Sequence, residues 1–220
     1  MLIKKFWKLY PVTKGRTSIS SSRVVVAKEI RKKLQKFGKD YFDGSRNHGY
    51  GGYYYNKKFF KKIVHMMVEH YKLKGKIRIL DVGCAKGFML YEFKKKLPKA
   101  EVHGIDISRY CKINAMPEVK KNIKVGCCSK LPYPDNFFDF VVSISTIHNL
   151  NLNGIKKSIK EIVRVSKNKS FIRVKAYTNK NEKKFIDKWN LVAKSNLSKK
   201  KWLQIFKKLQ YRDDYDFSKF

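Results

Sequence analysis

The chain has 220 residues, 43% of them hydrophobic, enough for one packed domain with a small extension. Its apolar runs are short, VVVA at 24–27 and FFDFVVSISTI at 137–147 interrupted by Asp139, well below the ~18 apolar residues of a bilayer span. The formal charge of +35 invites a polyanionic partner, yet 43 lysines against nine arginines, spread along the whole chain, also fit solvated faces of a lysine-biased composition.

The segment MLIKKFWKLYP mixes lysines into its apolar residues and lacks a cleavage site, so no signal peptide is read and a cytoplasmic location is expected. Residues 1–22 end in TSISSS and are expected to form a linker or flexible arm. VVVAKEIRKKLQKF (24–37) places apolar residues at 26, 30, 34 and 37, which is helical spacing. RNHGYGGYYYN (46–56) has three glycines, four tyrosines and no aliphatic residue; it is too glycine-rich for a helix and lacks the alternation of a strand. KKFFKKIVHMMVEHYKL (57–73) is an amphipathic helix expected to stop at Gly75.

From Ile77 onward strands and helices alternate. The strands are IRILDVG (77–83), EVHGIDI (101–107), NIKVGCC (122–128), FFDFVVSIS (137–145) and KSFIRVKAY (169–177), with YRDDYDF (211–217) as an edge strand. The helices between them are FMLYEFKKKL (88–97), SRYCKINAM (108–116), IKKSIKEIVRVS (155–166), NEKKFIDKWNLVAK (181–194) and SKKKWLQIFKKL (198–209). This alternation predicts an α/β fold, a doubly wound and mostly parallel sheet with helices on both faces and an N-terminal helical cap. Residues 1–74 are read as arm, helices and a Tyr/Gly-rich lid, and 75–220 as the main domain.

The four cysteines, Cys84, Cys111, Cys127 and Cys128, form no C-x-x-C pair, and two adjacent cysteines do not readily chelate one ion together. They read as reduced thiols, and no metal is expected.

The chemistry concentrates in ILDVGCAKGFML (79–90), a strand, a glycine turn and a helix start. Gly83 and Gly87 let the backbone approach a ligand, and the turn opens onto free helix N–H groups. A dinucleotide fingerprint needs G-x-G-x-x-G and a Walker loop needs G-K-[ST]; G-C-A-K-G-F satisfies neither.

DVGCAKG instead resembles the first motif of class I S-adenosylmethionine-dependent methyltransferases, with Ala85 in place of the middle glycine. Asp106 in VHGIDIS and the segment LPYPDNFFDFVVS (131–143) continue the resemblance, which spans about residues 75–178. It implies a Rossmann-like fold and S-adenosylmethionine as cofactor, leaving as S-adenosylhomocysteine. It also implies cofactor contacts from Asp81, Gly83, Cys84, Ala85, Gly87, Asp106, Ile107, Cys127, Cys128 and Ser145. Asp81 would anchor the amino-acid end and Asp106 the ribose hydroxyls, while many relatives carry an Asp where the cysteines stand.

On the acceptor side, STIHNL (145–150) follows the fourth strand, where such sheets open their ligand crevice. His148 is the expected general base, with Asn149 beside it. The lid contributes Tyr53, Tyr54 and Tyr55 over cofactor and substrate, Arg46 and His48 are expected to hold an anionic group, and Tyr177 to line the pocket. The family's Asn/Asp-Pro-Pro-Tyr and Pro-Cys motifs of nucleic-acid methylation are missing; SIST stands at the first position. The expectation is O- or N-methylation of a small polar metabolite, as in surface-saccharide or secondary metabolism. An RNA methyltransferase using the basic surface and a non-catalytic cofactor-binding accessory subunit are the alternatives.

Overall fold

The structure is a computed structural model that describes residues 26–167 and 169–218. The expected arm at 1–22 lies outside these residues. Six strands form one sheet: β1 (Arg78–Val82), β2 (Glu101–Asp106), β3 (Ile123–Val125), β4 (Phe140–Ile144), β5 (Ser170–Lys175) and β6 (Asp214–Ser218). Their order is β3-β2-β1-β4-β5-β6, and every neighbouring pair is parallel.

The helices are α1 (Lys28–Leu34), α2 (Lys39–Phe42), α3 (Lys57–Tyr71), α4 (Phe88–Lys96), α5 (Arg109–Ile113), α6 (Pro117–Lys120), α7 (Leu152–Val165), α8 (Lys180–Trp189) and α9 (Lys199–Lys208), with a short 3-10 turn at Ile147–Asn149. Asparagine or serine side chains cap five of them: Asn56, Ser108, Asn151, Asn179 and Ser198 each accept the backbone N–H three residues on.

Both faces of the sheet are covered, so its central strands are apolar throughout. Successive side chains point to opposite faces. Ile79, Phe140, Val142 and Phe171 pack with Ile63, Met67, Leu90 and Phe93 of α3 and α4. Leu80, Val82, Val141, Ile172 and Val174 pack with Ile155, Ile159 and Ile162 of α7 and with Trp202 and Phe206 of α9. Among the described residues no helix is long and apolar enough to cross a membrane.

Most elements are shorter than the sequence reading, two short helices (Lys39–Phe42 and Pro117–Lys120) were not expected, and three of the differences have a clear physical cause. Helix α3 stops at Tyr71, not at Gly75, because Lys72 takes the left-handed conformation (φ 50°) and Leu73 N–H closes back on Val68 O at 2.9 Å. Strand β3 is only three residues long, so Cys127 and Cys128 lie in the turn after it. Helix α8 ends at Trp189 rather than running to 194. Leu191 and Val192 are buried against Leu34 of α1 instead, with Val26, Ile30, Phe37 and Tyr41 around them.

Candidate functional site

The strand order reverses between β1 and β4, and ligands in such sheets bind beyond the carboxyl ends of the strands at that point. The glycine turn leaves β1 there, and residues 145–149 leave β4 beside it. Gly83 (φ 84°) packs so tightly that a Cβ would fall 2.0 Å from Thr146 Oγ1. Gly87 (φ 75°) starts α4 where a Cβ would meet Ile123 and Val119. Ala85 also sits in the left-handed region (φ 46°), the conformation a glycine would take at less cost.

Asp106 organises the turn. Its Oδ2 accepts Ala85 N–H and its Oδ1 accepts Ser108 N–H, both at 2.8 Å. Each oxygen therefore keeps one lone pair for a further donor. Burial pushes this carboxyl up against those two bonds. Asp81 is almost wholly buried, and burial followed by the charge of Asp106 pushes its carboxyl well above the usual range. Ile107 is 53% exposed beside Asp106. Cys84 turns inward, under Gly104 of β2, so only its backbone faces the turn.

The Tyr/Gly-rich segment expected to form a lid is fastened to this turn through groups the sequence reading missed. Lys86 Nζ donates to Asp43 Oδ2 at 2.6 Å and to Tyr53 O at 3.0 Å. Tyr110 OH donates to the same Asp43 oxygen at 2.5 Å, and Tyr53 N–H to Asp43 Oδ1 at 2.8 Å. Burial raises the Asp43 carboxyl, but these hydrogen bonds outweigh it and hold it low. Ser108 Oγ adds a bond to Phe37 O at 2.5 Å.

The three consecutive tyrosines have three environments. Tyr53 stacks on Phe88 at 5.2 Å, Tyr55 donates its hydroxyl to Glu92, and Tyr54 stands 75% exposed. Arg46 donates to Tyr50 O and so closes its own loop, and His48 is half-buried in the same turn.

The side of the crevice beyond β4 is less paired. Ser145 (φ 56°) turns the chain out of β4, with its N–H on Arg173 O at 2.9 Å. His148 is buried, and its Nδ1 has no hydrogen-bond partner. Burial, then Lys175 and Arg173, hold its pKa well below the ordinary value, so the ring is neutral. Asn149 Oδ1 is likewise buried without a partner, although Asn149 Nδ2 reaches Ser145 O at 3.5 Å. Lys194 N–H bonds Asn149 O at 3.0 Å and brings the segment after α8 against this turn, including Asn190, whose buried Nδ2 also lacks a partner. Tyr177 is half-buried and tied by its backbone to Leu197 and Lys199.

A family model described as a methyltransferase domain matches residues 80–174, from β1 through the glycine turn, Asp106 and His148 to β5. The chain carries a class I S-adenosylmethionine-dependent methyltransferase domain. Uncharacterized methyltransferase C1B3.06c of Schizosaccharomyces pombe is 34% identical over 102 residues, 41% of this chain and 36% of that protein. The tRNA (carboxymethyluridine(34)-5-O)-methyltransferase of Arabidopsis thaliana is 31% identical over 113 residues, 50% of this chain and 27% of that protein. The chain thus matches about a third and a quarter of their lengths. The crystal structure of YcgJ from Bacillus subtilis shares the fold, with a TM-score of 0.56 over 67% of each chain at 20% identity. Asp43, the Tyr/Gly-rich segment at 46–56 and Asn190 lie outside the matched methyltransferase region.

Proposed function

We propose that this methyltransferase domain methylates a small polar acceptor at oxygen or nitrogen, with His148 receiving or orienting the acceptor's proton. The observation that carries the reading is the buried, partnerless Nδ1 of His148 at the exit of β4, beside the glycine turn. The turn's residues fit the cofactor. Gly83 and Gly87 keep the backbone bare, each Asp106 oxygen has a lone pair left for a ribose hydroxyl, and Ile107 offers an exposed apolar face for the adenine. Asp81, pushed up by burial, gains most from a cation beside it, and the ammonium of the cofactor's amino-acid end is one. Cys127 and Cys128 would lie along the adenine edge, and Ser145 where the two loops meet.

Bound there, S-adenosylmethionine supplies an electrophilic methyl group on sulfur. The chain's own task is to align the acceptor with it and keep water out. A neutral His148 is available as a hydrogen-bond acceptor throughout the physiological range. Its low pKa makes it a weak base, which suits an acceptor whose proton is already acidic, and the nearby Lys175 and Arg173 favour one that carries negative charge. In the lid, Tyr54 is the tyrosine whose side chain is open to a ligand; Arg46 and His48 would act at its rim and Tyr177 at the far side of the pocket. The free thiols fit a reducing compartment, and we place the protein in the cytoplasm.

Calorimetric titration with S-adenosylhomocysteine, followed by turnover of small polar acceptors with wild type and His148→Gln, tests this. The variant is expected to keep its cofactor affinity within about twofold and lose about 100-fold or more in turnover. A wild type that binds no cofactor would sink the reading. The charge of +35 and the similarity to a tRNA methyltransferase favour RNA as a second acceptor class. That reading expects tRNA binding that weakens steeply and linearly with salt on logarithmic axes.

A further inference from the structure

Cys127 and Cys128 stand in a turn closed by Lys130 N–H on Cys127 O at 3.1 Å, outside any helix or strand. Both are free thiols on adjacent residues of the chain. Each also has a hydroxyl neighbour. Cys127 Sγ lies 3.0 Å from Ser129 Oγ, and Cys128 Sγ accepts from Ser158 Oγ at 3.4 Å. The other two cysteines, Cys84 and Cys111, are buried in the core. The neighbouring Cys128, with Ser129 and the charge of Lys194, lowers the Cys127 thiol against its burial, while Cys127 and burial raise Cys128. The more acidic thiol of the pair is thus the less buried one, next to a less acidic partner. That is the arrangement of an attacking and a resolving thiol. Gly126 N–H bonds Asp106 O at 2.9 Å, so this turn hangs on the residue that organises the glycine turn.

We propose that Cys127 and Cys128 are an oxidation site, at which a peroxide closes a vicinal disulfide and so distorts the adenine end of the cofactor crevice; the distortion of the crevice rests on the cofactor reading above. In the first step the Cys127 thiolate attacks one peroxide oxygen. An S–O bond forms, the O–O bond breaks, and hydroxide leaves and takes up a proton. In the second, the sulfur of Cys128 displaces hydroxide from the Cys127 sulfenic acid, giving the S–S bond and water. The two thiols lose two electrons and the peroxide gains them. Adjacent Cα atoms are ~3.8 Å apart, closer than the ~5.5 Å usual across a disulfide, so closure twists the 127–128 peptide and pulls on Gly126. Such a strained bond is readily reduced, which makes it reversible rather than structural.

The test treats the reduced chain with hydrogen peroxide and maps the cysteine peptides by mass, then titrates S-adenosylhomocysteine before oxidation, after it, and after dithiothreitol. The expected result is loss of two hydrogens on the peptide holding both cysteines, at least tenfold weaker binding, and recovery on reduction. With Cys128→Ser, peroxide should instead leave a sulfenic acid on Cys127 that dimedone traps. Sulfinic acid on Cys127 beside a free Cys128 thiol would overturn the site. A mapped linkage with unchanged affinity would overturn the effect on the crevice. A reduced chain that binds no S-adenosylhomocysteine would overturn the cofactor reading and the crevice effect with it, while the mass shift would still report the linkage.

Discussion

The two walls of the crevice are built in different ways. On the wall of the glycine turn, both oxygens of Asp106 and both of Asp43 already accept hydrogen bonds, and Lys86 ties the turn to the lid. On the wall beyond β4 and along the segment that Lys194 binds to it lie three of the four buried side-chain polar atoms without a partner among the described residues: His148 Nδ1, Asn149 Oδ1 and Asn190 Nδ2. A paired wall is organised before any ligand arrives. On the reading proposed above, the paired wall holds the cofactor and the unpaired one takes its partners from the acceptor.

The sharpest way to break the contrast is at Lys86. Its side chain is 8% exposed and that of Asp43 14%, so Lys86→Met strips a nearly buried carboxylate of its counter-charge and leaves it to Tyr110 OH and Tyr53 N–H. The expected loss is about 3–5 kcal/mol in chemical denaturation. The double variant with Asp43→Asn should lose less than the sum of the two single ones.

Asp106→Ala removes the acceptor of two backbone N–H groups, and on the proposed reading of the ribose as well. S-adenosylhomocysteine should bind about 100-fold more weakly by calorimetry, a loss of ~2.7 kcal/mol.

The acceptor wall answers to pH. A histidine held below its ordinary pKa by burial binds protons more readily once unfolded, so its contribution to stability is complete above about pH 6.5 and is lost as pH falls. His103, also lowered by burial, adds in the same direction. Each histidine should thus lower stability with acid between pH 7 and 5.5 by up to ~1.4 kcal/mol per pH unit, against the opposite pull of the raised Asp81 carboxyl, so the His148 share is read as the difference in slope between wild type and variant. His148→Gln should make that slope shallower; an unchanged slope would mean that the ring is not buried in solution.

The smallest effect belongs to Ala85→Gly. It relieves a left-handed alanine, worth ~1 kcal/mol or more, but adds backbone freedom to the unfolded chain of nearly the same size. Stability should stay within about 0.5 kcal/mol. A larger loss would locate the worth of the methyl group in its packing with Phe42 and Cys111.

The glycine turn and the succession of strands and helices along the chain were legible in the sequence because each is a local pattern, whereas their order in the sheet was not. The sixth strand was legible on the same ground, and the structure places it at Asp214–Ser218 beside β5. The Lys86–Asp43 pair was not, because 43 residues separate its partners and only the folded chain brings them together. Tyr53, Tyr54 and Tyr55 look alike in sequence, yet one stacks, one is exposed and one binds Glu92, and that assignment depends on α4 lying beneath them. Leu191 and Val192 continued a helical pattern, but the structure spends them on α1.

The all-parallel sheet has a consequence for how the chain reaches this state. No pair of its strands is a hairpin; Phe171 meets Asp214 across β5 and β6 only after 43 residues have looped round. Assembly by such distant pairings is slow, and half-built sheets expose sticky edges meanwhile. A charge of +35 makes unfinished chains repel one another during that interval. Raising salt should therefore lower the refolding yield at high protein concentration more than it lowers the stability of the finished fold.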